Sequence, residues 1–399
     1  MTPLLSVWLK PGDTIDRVLA GNPRHSTWLL GVLGGIAGAL ASLSGAVWTT
    51  EISAWRLLGA FALIGAAGGV FALYFQALCL RWSGAMFGGH APAKQLRALM
   101  AWGYFWPFLA GSAVSLAASA YMHFAGLGTS QTFNAFLQAV VFVWSSIIIV
   151  RMLARLQHFG TWRAIGNGLA GLLLCTLILL VFPLAIRTLL FQPFDNTSGS
   201  SMPTLLTGDQ FFVSKYAYGY SHFALPFSPP LFFGRIWAAE PKRGDVVVFR
   251  LPRNVSVTYV KRVIDLPGDR VQMLNGQLHI NGQPVARKRV EDFINPDSRR
   301  AAPAKQWRET LPNGVSYNTL DLVDKGFSDN TDVYEVPPGH YFMLGDNRDN
   351  SIDSRISQIG TVPFENLIGR VGVIYYSVTR QSGSARESVH FERIGLQVR

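Results

Sequence analysis

Cysteine is scarce in this chain. Only Cys79 and Cys175 occur in 399 residues, and each lies inside an apolar run. Such cysteines serve as small buried apolar side chains, which speaks against a disulfide framework or a cysteine-held metal and leaves the redox compartment open. Acidic residues are few in the first half. Up to residue 190 there are 3, against 11 Lys and Arg, while the remainder carries 21 acidic and 24 basic residues. There is no dense Lys/Arg stripe interleaved with aromatics, so the net charge of +11 does not point to a nucleic-acid partner. The basic residues of the first part fall between apolar runs, as loop charges do in membrane proteins. The eight histidines show no H-x-x-x-H or other ligand spacing, and no glycine-rich phosphate loop is present. Neither a metal nor a nucleotide or other cofactor is expected. No cleavable signal sequence is expected at the start, because Met1–Ser26 is polar and carries Lys10, Arg17 and Arg24 ahead of the first apolar run.

Apolar length is abundant. Hydrophobic residues make up 49% and charged residues 15%, an unusual balance for a soluble protein. A membrane-crossing helix needs about 20 apolar residues. Five runs qualify: Trp28–Trp48, Trp55–Leu80, Leu99–Leu127, Phe133–Leu153 and Leu169–Phe191. The second and third are rich in Gly, Ala and Ser, which lets helices approach closely in lipid, so a bundle is expected, with a kink at Pro107. Loop charges alternate along the chain. Arg81, Lys94 and Arg97 follow the second run and Arg151, Arg155 and Arg163 follow the fourth. The first loop has only Glu51 and Arg56, and the loop around Gly128 has no charge. This alternation predicts a cytoplasmic N-terminus and, after five crossings, an exported C-terminal part. The fourth run is short and carries Asn134 and Gln138, and its loss would reverse that outcome. Arg187, near the end of the last run, can snorkel to the interface.

From Asp195 the pattern turns to period-2 strands. Asp245–Phe249, Val255–Ile264, Tyr341–Leu344 and Val371–Val378 read as strands. Asn275-Gly276 and Asn281-Gly282 bracket Gln277–Ile280 as consecutive hairpins. Residues 286–335 are polar with few strand signals and read either as an insertion capping the β core or as a surface excursion. His222–Gly234 is apolar and broken by Pro226, Pro229 and Pro230. It either dips into the outer leaflet or packs on its own domain, and the membrane is favoured because exposed apolar patches usually mark contact surfaces. The fold class expected is an N-terminal all-α membrane bundle of five helices followed by a mostly β exported domain, barrel-like or sandwich-like, with a polar insertion. The expected boundaries are a cytoplasmic tail at 1–27, a four-span domain at 28–168, a final anchor at 169–191 and the β-rich domain at 192–399.

The serine cluster after the last run and Lys261, set in an apolar strand-like stretch, supply chemistry. A serine hydroxyl needs a base, and a lysine serves as one only when neutral. Its reference pKa of about 10.4 must then fall by about 3 units, or about 4 kcal/mol, which burial among residues such as Val260, Val263 and Ile264 can supply. Arg262 points to the opposite face of the strand. A Ser-His-Asp triad would require His279, in a hairpin strand, or His340, in a Pro-Gly turn, to reach the serine.

Four segments now carry a family resemblance. Ser198-Gly199-Ser200-Ser201-Met202-Pro203-Thr204-Leu205, Arg243–Phe249, Tyr259-Val260-Lys261-Arg262 with Leu266-Pro267-Gly268-Asp269, and Gly345–Arg355 resemble, in order, the sequence boxes of bacterial type I signal peptidases. The resemblance covers Phe191 to about Val378. It implies a membrane-bound serine endopeptidase of the bacterial inner membrane, with a periplasmic catalytic domain. Its substrates would be signal-peptide-bearing preproteins, cut after a small-x-small motif. The family pattern Ser-x-x-Pro-Thr selects Ser200 as nucleophile, with Lys261 as base. Ser201 stands where methionine is common, which leaves a second hydroxyl beside the first. The resemblance gives Ser351 the task of holding the lysine amine, and Ser198 with the Ser200 N–H the oxyanion hole. Asp353 and Arg355 match a supporting ion pair. Asp346, Asn347, Asp349 and Asn350 read as a turn shaped by Asx hydrogen bonds. Asp265 replaces a glycine common before Leu-Pro-Gly-Asp.

The first spans, with the tail around Trp8-Leu9-Lys10-Pro11, resemble the Yip family of multispanning membrane proteins. They could recognise signal peptides laterally, contact the secretion translocon or anchor the chain in the bilayer. Two other readings compete. A self-cleaving repressor-type Ser/Lys protease would need a DNA-binding domain and a soluble context. A catalytically inactive membrane scaffold or transport-associated protein would favour charge within the spans, and the spans offer almost none.

Overall fold

Long apolar runs fold as helices and alternating stretches as strands in a chain whose computed structural model describes residues 2–42, 54–125, 131–296, 303–380 and 387–398. Two compact units result, Met1–Val181 and Phe182–Arg399. The helices are α1 (Pro3–Leu9), α2 (Pro11–Ala20), α3 (Pro23–Ser42), α4 (Ala54–Met86), α5 (Ala93–Met100), α6 (Trp106–Phe124), α7 (Gln131–Gln157) and α8 (Thr161–Leu189).

The polar N-terminal stretch, expected as a tail, holds two short helices, each started by a proline that has no N–H to leave unpaired. Their Val7, Ile15 and Val18 are buried in one core with Leu96, Leu99 and Met152. The close packing expected of small residues is present between α3 and α4. A Cβ on Gly35 would stand 2.1 Å from the Gly65 carbonyl, and one on Gly69 would stand 2.1 Å from the Gly31 carbonyl. The third apolar run is helical from Leu99 to Phe124, with one irregularity before Pro107. A π-helical turn, Ala101–Phe105, separates α5 from α6. Pro107 cannot donate to the carbonyl four residues back and its ring crowds it, so the irregularity falls in the turn before the proline. Among the described residues three helical segments are long and apolar enough to cross a membrane: Gly59–Met86, Ala135–Gln157 and Thr161–Leu189. The last begins eight residues before the expected anchor and gives way to a strand at Phe191. The end of the first expected span at 43–48, the Glu51 loop, and Leu127 with the Gly128 loop lie outside the described residues, as do 297–302 of the expected insertion.

The second unit is β-rich. Its strands are β1 (Phe191–Asp195), β2 (Asp209–Ser214), β3 (Val246–Leu251), β4 (Asn254–Asp265), β5 (Arg270–Leu274), β6 (Gln277–Ile280), β7 (Gln283–Pro284), β8 (Ala286–Arg289), β9 (Lys305–Thr310), β10 (Ser316–Asp321), β11 (Tyr334–Glu335), β12 (His340–Leu344), β13 (Val362–Pro363), β14 (Leu367–Arg380) and β15 (Glu387–Val389). The main sheet runs β1-β2-β14-β3-β4-β12-β13, with β15 on β14. The hairpins β5–β6 and β6–β7 turn on Asn275-Gly276 and Asn281-Gly282, all four residues at positive φ, as two-residue hairpin loops require. The polar stretch 286–335 is not a loose excursion. Within it β8, β9 and β10 form an antiparallel sheet, whose buried faces carry Glu309, Tyr317 and Thr319 among apolar neighbours.

Register in the main sheet positions the site. β4 pairs with β3 along its length, Lys261 opposite Val247, but with β12 only from Arg262 to Asp265. On the β12 side the edge from Asn254 to Lys261 is unpaired among the described residues.

Candidate active site

Ser200 sits in a single 3-10 turn, Gly199–Ser201, between β1 and β2. Short side chains on extended Ser198 and on Gly199 let the chain turn tightly there. The turn is pinned from beneath. Asn347 N donates to the Ser200 carbonyl at 3.1 Å and Asn347 Nδ2 to the Gly199 carbonyl at 3.1 Å. Gly345 lies so close that an added Cβ would stand 2.6 Å from the Ser200 carbonyl oxygen and 2.2 Å from Ser351 Oγ. Only glycine fits there without displacing the Ser200 turn.

Lys261 comes from β4 and its Nζ lies 2.5 Å from Ser200 Oγ. Lys261 is 3% exposed and Ser200 8%. Burial pushes the amine down to about 8, against the opposing pull of Asp353 and Asp346, and the Arg355 guanidinium adds to the depression. The two hydroxyls of the cluster are told apart by their partners. Ser201 Oγ donates to the Val260 carbonyl at 3.2 Å, so it clamps the turn to β4 and Ser200 alone meets the amine.

The supporting residues are brought together, with differences from expectation. Ser198 accepts the Ser200 N–H through its Oγ at 3.2 Å, so the two expected oxyanion donors engage each other. Ser351 lines the same cleft, but its buried Oγ has no hydrogen-bond partner among the described residues. The expected bond from Ser351 to the Lys261 amine is therefore not formed, and the amine makes its short contact with Ser200 instead. Asp353 and Arg355 pair through two contacts of 2.8 Å, and Asp353 also accepts the Gly345 N–H at 3.1 Å. Arg355 donates to the Arg348 carbonyl at 2.6 Å. His279 and His340 bond to the nearby carbonyls of Gln277 and Pro338, and neither lines the cleft.

Several residues that hold the site were not read from sequence. Arg262, 1% exposed, is bidentate to Asp346 and also donates to the Gly244 carbonyl at 2.8 Å. Asp346 accepts Thr204 Oγ1 at 2.5 Å. Asp346 and Asn347 thus brace the Ser200 segment, and Asp349 reaches outside its own turn to accept the N–H groups of Leu322 and Val323 at 2.7 and 3.0 Å. Asp209 collects Ser377 Oγ at 2.6 Å, the Leu206 N–H at 2.8 Å and both edges of Arg393, which also donates to the Thr204 carbonyl at 3.0 Å. Arg348 meets Glu309, which accepts the Tyr317 hydroxyl at 2.9 Å. Asp265, in the glycine position, is fully buried against Arg243, which also holds Asp269 at 2.6 Å. A charge inside an apolar strand run, as at Arg262, was the available signal, since buried charges are paired.

Between these elements lies a cleft of about 700 Å³ that follows the unpaired edge of β4 from Val257 to Lys261 and reaches Ser198, Ser200 and Ser351. It offers a hydroxyl beside a neutralisable amine, with backbone hydrogen-bonding groups alongside.

Comparison with known proteins gives a family. The model of the family described as signal peptidase, peptidase S26, matches residues 169–376, and a Yip1 domain model matches residues 5–186. Signal peptidase I of Rickettsia canadensis is 45% identical over 202 residues, 49% of this chain and 75% of the relative. That of Rickettsia typhi is 44% identical over the same shares. A crystal structure of a signal peptidase I from Enterococcus faecalis is 29% identical, covers 33% of this chain and 97% of its own, and has a TM-score of 0.20. With the family match spanning more than half of the residues, the chain belongs to the signal peptidase family, peptidase S26.

Proposed function

We propose that Ser200 and Lys261 are the nucleophile and general base with which this chain performs its family's reaction. The chain is a membrane-anchored serine endopeptidase that removes signal peptides from preproteins. The observation that carries the assignment is the 2.5 Å approach of Lys261 Nζ to Ser200 Oγ in a buried cleft. With its amine at about 8, Lys261 is neutral in about a tenth of molecules at pH 7, enough for a base that recycles each turnover.

In this reading the cleavage segment lies extended along the unpaired edge of β4 and adds backbone hydrogen bonds. Neutral Lys261 takes the Ser200 proton as Oγ attacks the scissile carbonyl carbon. The oxyanion displaces Ser198 Oγ as acceptor of the Ser200 N–H, and the Ser198 hydroxyl turns to donate to it. The Lys261 ammonium gives its proton to the leaving amine. Water then deacylates Ser200, with Lys261 again as base. Ser351, its Oγ unpartnered, is free to hold the amine once Ser200 is acylated, and Asp353 and Arg355 keep the loop in place.

The finer topology belongs to the same proposal: five crossings, a cytoplasmic N-terminus, a tail at 1–27, a four-span domain at 28–168, an anchor at 169–191 and a periplasmic catalytic domain at 192–399. The alternation of loop charges supports it. The bilayer and the secretion translocon are the proposed partners of the spans. The segment His222–Gly234, with Trp237 just after it, faces the outer leaflet in this reading. Phe227 and Phe233 are almost wholly exposed, as are most of Leu231 and Trp237. At its base the Tyr220 hydroxyl donates to the carbonyl of Leu189, the last residue of α8, at 2.5 Å. Arg235 secures the segment with donations to five carbonyls, among them Gly219 at 2.8 Å and Leu367 at 2.9 Å.

The test is turnover of a preprotein by purified wild type, Ser200→Ala, Ser201→Ala and Lys261→Ala. Loss in Ser200→Ala and Lys261→Ala with survival in Ser201→Ala is expected. Activity that survives Ser200→Ala or Lys261→Ala would sink the dyad. Labelling of single cysteines at 10 and 312, in a chain with Cys79 and Cys175 replaced, tests the topology, and a C-terminal probe reached only from the cytosol would reverse it.

A further inference from the structure

A second cleft, of about 780 Å³, lies within the helical unit, where the start of α3 meets α4 and the start of α5. Arg24, Lys94 and Arg97 line it together with His25, and no carboxylate does. Among the described residues none of the three cations is ion-paired. Arg97 lies over the Tyr74 ring, 4.6 Å from its centroid, which fixes the guanidinium against an aromatic wall.

Thr27 supplies an independent observation. It is 8% exposed and lines the cleft, yet its Oγ1 has no hydrogen-bond partner among the described residues. Buried hydroxyls are nearly always paired, and the usual helical recipient, the Pro23 carbonyl, takes Ser26 Oγ at 3.1 Å. The unused donor stands in the first turns of a 20-residue helix, whose dipole favours an anion.

The surroundings indicate where the anion comes from. Trp28 and Tyr74 stand half-exposed beside the cations, as aromatics do at a membrane interface. The 33 residues of α4 extend about 50 Å, longer than the roughly 30 Å of hydrocarbon. Trp28, which lines the cleft, begins the first expected apolar run, which puts the cleft at the end of that span. We propose that this cleft is a binding site for the phosphate headgroup of an anionic phospholipid, held by Arg24, Lys94, Arg97 and the Thr27 hydroxyl. A free phosphate offers the same chemistry, and the arms below separate the two sources.

The test uses the full chain, delipidated in detergent and titrated with phosphatidylglycerol or phosphatidylcholine, with retained lipid counted by native mass spectrometry. Wild type is expected to retain phosphatidylglycerol at least tenfold more tightly than phosphatidylcholine. Arg24→Gln/Lys94→Gln/Arg97→Gln should abolish that preference while leaving phosphatidylcholine retention unchanged. Thr27→Val, which keeps the side-chain shape, should weaken phosphatidylglycerol retention about threefold, and the exposed single change Lys94→Gln serves if the triple variant fails to fold. A preference that survives these changes overturns the site. Inorganic phosphate at millimolar concentration should not displace the lipid, and full displacement would overturn the lipid assignment in favour of free phosphate. Preprotein cleavage is not the readout, so failure here leaves the dyad untouched.

Discussion

Arg262 and Asp346 meet through two parallel contacts, Nε to Oδ1 at 2.8 Å and Nη2 to Oδ2 at 2.6 Å. One residue follows Lys261 in β4. The other follows β12 and accepts Thr204 Oγ1, four residues past Ser200. The pair therefore joins the strand that carries Lys261 to the segment that carries Ser200. Both partners are buried, so each charge depends on the other.

Breaking that pair should be costly. Asp346→Ala leaves Arg262 uncompensated at 1% exposure, and removing one partner of a buried pair typically costs about 3–5 kcal/mol. Thermal melts of the full chain should show this loss, with a fall in kcat for the fraction that folds. A melt within about 0.5 kcal/mol of wild type would mean that the pair holds nothing.

The two adjacent hydroxyls should behave unlike each other. Ser200→Ala should reduce kcat/KM by about 1,000-fold or more, as loss of a nucleophile does. Ser201→Ala removes a bond to the Val260 carbonyl and should cost about 1 kcal/mol of stability, with activity within about threefold of wild type. Single-turnover cleavage of a preprotein separates the two.

The pH dependence follows from Lys261. The amine must lose its proton to act, and burial holds it at about 8. Below that value kcat/KM should rise tenfold per pH unit, levelling above it. Stability runs in the same direction. Between about 8 and the ordinary lysine value of about 10.4 the unfolded chain binds more protons, so folding stability rises across that window and the burial penalty is fully present below it. Lys261→Met should therefore be inactive yet more stable at pH 7 by about 1–3 kcal/mol. Burial also pushes Lys215 down to about 8, with Arg187 and Arg250 adding to the shift, so Lys261→Met should flatten the melt profile only in part.

Polar replacement of the exposed apolar segment separates membrane contact from chemistry. Phe227→Ser/Leu231→Ser/Phe233→Ser should cleave a short soluble peptide at the wild-type rate in detergent. In vesicles its cleavage of an inserted preprotein should drop on the order of fivefold, because apolar area that would enter the leaflet is lost. Equal loss in both assays would assign these side chains a role inside the domain.

Much of this was legible in local pattern. Short runs of apolar and β-branched residues marked β3, β4, β12 and β14, and Asn-Gly pairs marked both hairpins, since run composition and turn chemistry act over a few residues. The sheet of β8, β9 and β10 was missed because its inward positions include Glu309 and Thr319, while cations such as Arg287 stack on Trp307 at 4.3 Å. No apolar alternation announces such strands. The helix irregularity expected from Pro107 falls in the turn before α6, Ala101–Phe105, where the proline disturbs the carbonyl four residues back.

The sequence by itself marked the long apolar runs as helices and β3, β4, β12 and β14 as strands, and its resemblance to the family's boxes brought Ser198, Ser200, Lys261, Ser351, Asp353 and Arg355 forward as a set, because apolar runs and boxed motifs are written in consecutive residues. Tertiary structure alone decided that Ser200 and not Ser201 faces the amine, that Asp346 braces Arg262, and that Arg393 reaches back to Asp209. Those partners stand 61, 84 and 184 residues apart. Contacts at such separations are fixed by sheet register, where a slip of one residue would turn Lys261 away from the cleft and put Arg262 in its place.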